Sequence, residues 1–245
     1  MFREHHVTAT YSDSFKKYLS HTNEKSVLFE EIKRRLEFAK PKTVLDIGAG
    51  NGDMAIPLSQ GNYEYIALER KPDYVTKLKN AGLKVIDAYF PTDIDKKFDF
   101  ILSSHSLPWK KENYDPFVLS AINLLNAGGI FLIITYDDES GDWKKLVDEC
   151  GLPVSVKKES RLKALDKWLP SLGRSYNKTI VKTYVRADTL NDILEALAFV
   201  YSDGKEEKIA TFLNSDRVKE YLERKYKSSE GYSFPFSHIF LEIVK

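Results

Sequence analysis

The spacing of apolar residues changes character twice along the chain. Near the start, Tyr11, Phe15, Tyr18 and Leu19 fall at i, i+4, i+7 and i+8, which predicts one apolar stripe on a helix. A second helix is predicted over 24–39, with Val27, Leu28, Ile32, Leu36 and Phe38 as its apolar positions and Pro41 as its stop. Between 43 and 150 the rhythm alternates. Short β-branched runs predict strands at 43–48, 63–69, 83–88, 98–104 and 130–136. Between and after them, helices are predicted at 52–59, 72–81, 114–126 and 142–150. Pro57 puts an early stop inside the first of these. Pro72 suits the first turn of the second, and Ala127-Gly128-Gly129 closes the third. From 160 onward the pattern gives a helix at 160–169, an alternating strand at 178–185, three helices at 190–201, 206–213 and 216–226, and a final strand at 237–244.

Alternating strands and helices argue for a parallel sheet covered on both faces. The expected fold class is therefore α/β: an open, mostly parallel seven-stranded sheet with helices on both faces, an antiparallel C-terminal edge strand and a small helical cap. A single domain is expected over 1–245. It divides into an N-terminal helical segment (1–40) closing the site, a core (41–150) and a helical insertion (186–230) forming the cap. The chain contains no linker rich in Pro, Gly or Ser between core and cap.

Composition narrows the function classes. With 42% hydrophobic and 30% charged residues, the chain can bury one core and is not of the disordered class. The formal net charge is +1, so no global basic field draws it to nucleic acid or to an acidic membrane surface. The pairs Lys110-Lys111 and Arg224-Lys225 read as solvated helix faces. Cys150 is the single cysteine, which leaves no internal disulfide and no Cys/His zinc spacing. The opening residues are polar, and no apolar run reaches the ~20 residues of a membrane helix. A cytoplasmic location is the default expectation, with no membrane partner and with the oligomeric state left open.

The chemistry concentrates at strand ends. Val44-Leu45-Asp46-Ile47-Gly48-Ala49-Gly50-Asn51-Gly52 delivers a strand into three alternate glycines. Glycine permits the sharp turn and close ligand approach, and the following helix turns its N–H groups toward the ligand. A dinucleotide loop reads GxGxxG, whereas here the spacing is GxGxG with an acid, Asp46, at the strand end. That acid suits a cationic amino-acid ligand better than a pyrophosphate. It can order the loop by accepting its N–H groups, or accept from the ligand's amino group. Glu69 ends the strand 63–69, where a carboxylate can accept both hydroxyls of a ribose, with Arg70 next to it. Asp87 and Ala88 follow the next strand and suit an adenine amino group. Phe98-Asp99-Phe100-Ile101-Leu102-Ser103-Ser104-His105 brings Ser103, Ser104 and His105 to the same edge.

These four segments, in order over about 43–137, resemble the motifs of class I S-adenosylmethionine-dependent methyltransferases. The resemblance implies S-adenosylmethionine as cofactor and S-adenosylhomocysteine as product. It also implies methyl transfer by in-line displacement and a cofactor set of Asp46, Gly48, Ala49, Gly50, Asn51, Gly52, Glu69, Arg70, Asp87, Ala88, Ser103 and Ser104. A narrower resemblance is carried by Tyr11, Phe15, Tyr18, Leu19, His21 and Glu24, by Phe98-Asp99-Phe100-Ile101, and by Ser140-Gly141-Asp142-Trp143-Lys144-Lys145-Leu146. Their spacing is similar to the histamine N-methyltransferase family, in which the matching Glu contacts a substrate amine. This chain is shorter, and that family's substrate-contacting Asn has no match among residues 232–238.

A sulfonium loses its methyl group to leave a neutral thioether, so the leaving group needs no acid. Holding nucleophile and methyl in line can supply roughly 7–11 kcal/mol. Such a site often has no dedicated base, and no catalytic base is assigned. A small-molecule acceptor is expected, with an amine nitrogen as one acceptor, and Tyr11, Phe15, Glu24, His105 and Trp109 are the substrate-side candidates. The aromatic ones can box a flat or cationic group, although a stripe at helical spacing is also ordinary core. Glu24 can pair with an ammonium or simply start its helix beside Thr22-Asn23. Ser106-Leu107-Pro108-Trp109 mimics the signature of nucleic-acid and protein methyltransferases, two residues late in register. A non-catalytic cofactor-binding module is the alternative from another class.

Overall fold

The computed structural model describes residues 11–108, 114–153, 161–171, 173, 176–202 and 205–245. The chain forms two compact units. The first is built from the N-terminal residues to Glu24, from Asp138–Lys158 and from Lys182–Ser237, and the second from Lys25–Asp137, Glu159–Val181 and His238–Lys245.

The second unit carries the parallel strands: β1 (Thr43–Ile47), β2 (Glu64–Glu69), β3 (Lys84–Asp87), β4 (Phe98–Ser104) and β5 (Leu125–Tyr136). Strands β6 (Tyr176–Ala187) and β8 (Gly231–Val244) each run through both units. The order in the sheet is β3-β2-β1-β4-β5-β8-β6. Seven strands thus make the continuous path, as expected, and a two-residue β7 (Lys227–Ser228) pairs with β8 as an eighth. The β1–β2, β2–β3, β1–β4 and β4–β5 pairs are parallel, and β8 runs antiparallel to β5, with Tyr136 opposite His238. The chain steps outward from β1 to β3 and then returns to β4 on the other side of β1. That reversal leaves a crevice at the carboxyl ends of β1 and β4.

Four of the five β1 residues are buried, as both covered faces require. Helix α2 (Glu24–Ala39) covers one face through Leu28, Ile32 and Leu36, spaced by four. Arg35 of the same helix lies 4.5 Å from the Phe240 ring centroid and 2.7 Å from Glu242 of β8. Phe38, predicted as an apolar core position, is instead 89% exposed. It lies two residues past Leu36, so the helical turn carries it off the buried face. Helix α4 (Pro72–Asn80) buries Val75 and Leu78, and α5 (Tyr114–Leu124) buries Phe117, Val118, Ala121 and Ile122.

Predicted boundaries shift by more than two residues at three places. The helix expected over 52–59 shrinks to α3 (Ala55–Leu58), because the glycine turn extends through residue 54 and Pro57 cuts the remainder. Helix α5 ends at Leu124, and 125–129 belong to β5, where the Gly128 N–H donates to Lys245 O. The glycines read as a helix stop therefore lie in a strand with a register irregularity near its start. The last strand starts at Gly231, six residues before the predicted 237.

The first unit contains α1 (Tyr11–His21), α6 (Asp142–Cys150), α8 (Leu190–Ser202), α9 (Glu206–Leu213), α10 (Asp216–Tyr226), the short β7 and the adjoining parts of β6 and β8. Helix α7 (Arg161–Ser171) belongs to the second unit. The first unit has its own core around Leu146, Ile193, Leu197, Phe212, Leu222 and Phe234. Ser215 caps α10 by accepting from the Val218 N–H at 3.4 Å. In the stripe predicted for α1, Tyr18 is buried, whereas Phe15 and Leu19 are 40% and 38% exposed. No helix among the described residues is long and apolar enough to cross a membrane.

Candidate active site

At the carboxyl ends of β1, β2 and β4 lies a cleft of about 630 Å³. Ile47, Gly48, Glu69, Arg70, Ala88 and His105 are among the residues that line it. The glycine loop after β1 is tied to the end of β2. Both Gly48 N–H and Ala49 N–H donate to Leu68 O, at 2.8 and 3.2 Å. Gly50 N–H donates to Glu69 Oε2 at 2.9 Å. The other Glu69 oxygen accepts from Arg70 N–H and Lys71 N–H at 2.8 and 2.9 Å. A carboxylate holding three backbone donors is a fixed acceptor at the strand tip, buried to 8% exposure.

Gly48 has φ +77, and a Cβ placed on it would meet Ser106 Cβ at 2.5 Å. Both facts require glycine there. Asn51 Nδ2 donates to Asp53 Oδ2 at 2.9 Å and Asp53 N–H returns to Asn51 Oδ1 at 3.2 Å, closing the turn beyond it. Gly52 follows the same course with φ +85 and offers its carbonyl to Ile56 N–H.

Asp46 is fully buried in β1. Its hydrogen-bond partner is the Tyr65 hydroxyl, which donates to Oδ2 at 2.7 Å. Burial pushes its carboxyl up to about 6, the Tyr65 hydrogen bond opposes that, and the nearby Glu69 charge adds to it. The sequence expectation that Asp46 orders the loop through N–H groups is thus replaced. Glu69 and the Leu68 carbonyl do that work, while Asp46 faces a neighbouring strand. Tyr65 was missed because its partner lies on another strand, 19 residues away.

Asp87 stands opposite Glu69 in the β2–β3 register and is exposed, and Ala88 N–H donates to Glu69 O at 3.3 Å. The Arg70 guanidinium lies 4.3 Å from the Tyr89 ring centroid and donates to the Tyr89 hydroxyl, bridging the ends of β2 and β3. Ser103 is buried, with Oγ 2.8 Å from Ser106 Oγ, and Ser106 donates to Ile47 O at 2.5 Å. Ser104 Oγ is buried with no hydrogen-bond partner among the described residues. His105 has φ +53, a left-handed conformation that costs a non-glycine residue roughly 1–2 kcal/mol. Its N–H donates to Ile134 O at 2.9 Å. Its ring centroid lies 4.4 Å from that of Tyr136 and 5.4 Å from that of His238.

Of the predicted cofactor residues, Gly48, Glu69, Arg70 and Ala88 line this crevice, while Asp46, the rest of the glycine loop, Asp87, Ser103 and Ser104 lie on the strand ends and loops next to it. Of the substrate-side candidates, His105 lines that crevice. Phe15 and Glu24 belong to the first unit. There the Phe15 ring lies 4.8 Å from that of Phe199, and Glu24 accepts from the Tyr18 hydroxyl. Glu24 N–H donates to Thr22 Oγ1 at 3.1 Å, and Asn23 Oδ1 accepts from Tyr184 N–H at 2.7 Å. The expected capping role of this segment is thus present alongside a positioned carboxylate. Tyr11 starts α1, and its side chain, like Trp109 and the pair Lys110-Lys111, lies outside the described residues.

Comparisons with known proteins agree with this geometry. The sequence profile of a methyltransferase domain matches residues 18–201. No curated protein sequence matches the chain significantly. Among solved structures, the YcgJ protein of Bacillus subtilis is 18% identical with a TM-score of 0.57, over 89% of this chain and 97% of that one. YjhP of E. coli is 16% identical with a TM-score of 0.54, over 99% and 96%. The precorrin-6y C5,15-methyltransferase of Geobacter metallireducens GS-15 is 14% identical with a TM-score of 0.50, over 88% of each chain. At these identities the likeness concerns the fold, and the profile match over most of the chain carries the family. The chain belongs to the methyltransferase-domain family and is an S-adenosylmethionine-dependent methyltransferase.

Proposed function

We propose that the cleft at the ends of β1–β4 holds S-adenosylmethionine and delivers its methyl group to a small-molecule acceptor. The observation that carries this reading is Glu69. Its carboxylate is buried, fixed by three backbone N–H groups, and set at the strand tip beside the crevice. Asp46 with the loop Gly48, Ala49, Gly50, Asn51 and Gly52 would take the amino-acid end of the cofactor. Glu69 and Arg70 would take the ribose, Asp87 and Ala88 the adenine edge, and Ser103 and Ser104 would stand beside the sulfur. The donor set suits the ligand: two buried acids for a cation, and a glycine turn that leaves Gly50 open to close approach. The cofactor supplies an electrophilic methyl on sulfonium. The chain's part is to hold the acceptor in line and exclude water. Titration with S-adenosylhomocysteine in a calorimeter tests the site. Wild type should bind, and Glu69→Ala should bind at least tenfold more weakly.

For the acceptor, an amine nitrogen is the finer proposal, within the histamine N-methyltransferase-like branch. Its support is the residue pattern of the N-terminal segment and the near-zero net charge, which disfavours a nucleic-acid substrate. Tyr11, Phe15, Glu24, His105 and Trp109 are the acceptor-side residues that this reading takes from the sequence pattern. Labelled methyl transfer to a panel of primary amines, phenols and tRNA tests this. Labelling confined to amines supports it, and labelling of tRNA overturns it.

A further inference from the structure

Ser106 was singled out in the sequence only as part of a rival signature, yet it joins two loops that the reaction needs together. Its hydroxyl donates to Ile47 O, the last carbonyl of β1, at 2.5 Å. A serine has one hydroxyl proton, so the 2.8 Å contact with Ser103 Oγ has a forced direction: Ser103 donates and Ser106 accepts. A relay therefore runs from inside β4, through Ser106, to the carbonyl that opens the glycine loop. Size is constrained as well as polarity, because a Cβ on Gly48 would lie 2.5 Å from Ser106 Cβ. The neighbours of Ser106 are His105, held in its left-handed conformation, and Leu107, which is buried and lines the cleft. Residues in rare backbone conformations persist where their surroundings over-determine them.

We propose that Ser106 is a positioning residue: it pins loop 105–108 to the glycine loop, and so keeps His105 on the acceptor side of the bound cofactor. The functional part of this rests on the reading of the cleft as the cofactor site. The glycine loop has anchors of its own on Leu68 and Glu69. Loss of the Ser106 hydroxyl should therefore loosen the β4 loop more than it loosens the glycine loop.

The test compares wild type, Ser106→Ala and Ser103→Ala by amide hydrogen exchange at residues 105–107, with and without S-adenosylhomocysteine. Thermal midpoints are measured alongside. In Ser106→Ala, exchange at 105–107 should be about tenfold faster without ligand, the fold-change of one lost hydrogen bond. The ligand-dependent slowing expected in wild type should also disappear, while the midpoint stays within a few degrees. A merely structural role would move the midpoint and leave the ligand-dependent slowing in place. Ser103→Ala keeps the bond to Ile47 and should give an intermediate effect. If Ser106→Ala does not fold, Ser103→Ala carries the test, with exchange about threefold faster expected. Exchange at 105–107 indistinguishable from wild type would overturn the proposal. If wild type fails to bind S-adenosylhomocysteine, the cofactor reading falls, and the ligand-free exchange rates still decide whether Ser106 pins the loop.

Discussion

Asp46 and Asp99 stand on paired strands of one sheet and are treated in opposite ways. Asp99, near the start of β4, accepts from Lys42 N–H, Thr43 N–H, the Thr43 hydroxyl and the Asn126 amide, at 2.7–3.2 Å. Burial pushes its carboxyl up, but these four donors together hold it below its usual value. Asp46, toward the other end of β1, is buried and among the described residues accepts from one hydroxyl, that of Tyr65, and its carboxyl is pushed up to about 6. One end of the sheet satisfies its acid completely. The other leaves an acid short of donors, and it is the end where the cleft lies. Asp46 directly precedes Ile47 and Gly48, which line that cleft, and a buried acid with a raised carboxyl at that position fits the proposed cofactor site.

Substitutions at the two positions should therefore separate stability from binding. The largest effect is expected from Gly48→Val, beside Asp46. It imposes a branched side chain on φ +77 and drives it into Ser106, so cofactor binding should vanish and stability fall by about 3 kcal/mol, read by calorimetry and urea unfolding. Asp46→Asn should weaken S-adenosylhomocysteine binding by about 100-fold while raising stability at pH 7.5, by up to about 3 kcal/mol. A loss of stability in that variant would break the comparison. Asp99→Ala should do the reverse, costing about 2 kcal/mol through unsatisfied N–H groups and leaving affinity within about twofold.

The smallest effect per pH step is in pH dependence, where the Asp46 contribution is spread over about two units. The Asp46 carboxyl is raised on folding, so its destabilisation is absent below its unfolded value of 3.8, grows as pH rises toward about 6, and is complete above that. The Asp99 carboxyl is lowered, so its stabilisation is present above the unfolded value and is lost as pH falls through the lower folded one. Wild-type stability should thus decline between pH 4 and 6 by a component that Asp46→Asn removes and Asp99→Asn leaves in place. Affinity for the cofactor should weaken below about pH 6, as Asp46 takes a proton. A pH-independent affinity between 5 and 7.5 would take Asp46 out of the binding set.

Local chemistry made much of this legible in the sequence. The β1 run, its three glycines and the acids ending β2 and β3 all stand within a few residues of the feature they create. What the sequence concealed is non-local. The Tyr65–Asp46 bond spans 19 residues, Ser106–Ile47 spans 59, and the Asp99–Thr43 pair spans 56. None has a periodicity to betray it. The strand residues 125–129 were hidden for another reason: glycines suit a helix stop and an irregular strand equally well, and pairing with Phe98 decides between them. At Phe38, hydrophobic character alone misled, since helical phase sets burial.

The contact between Gly48 and Ser106 has an evolutionary consequence. The space at that contact holds one small side chain between two loops, and the chain assigns it to position 106. Drift at either site is then not independent. A descendant that acquires a bulkier residue at 106, or any side chain at 48, must reshape the opposite loop in the same lineage. Among homologues, the two positions should covary across more than fifty residues of sequence while the strands between them vary freely.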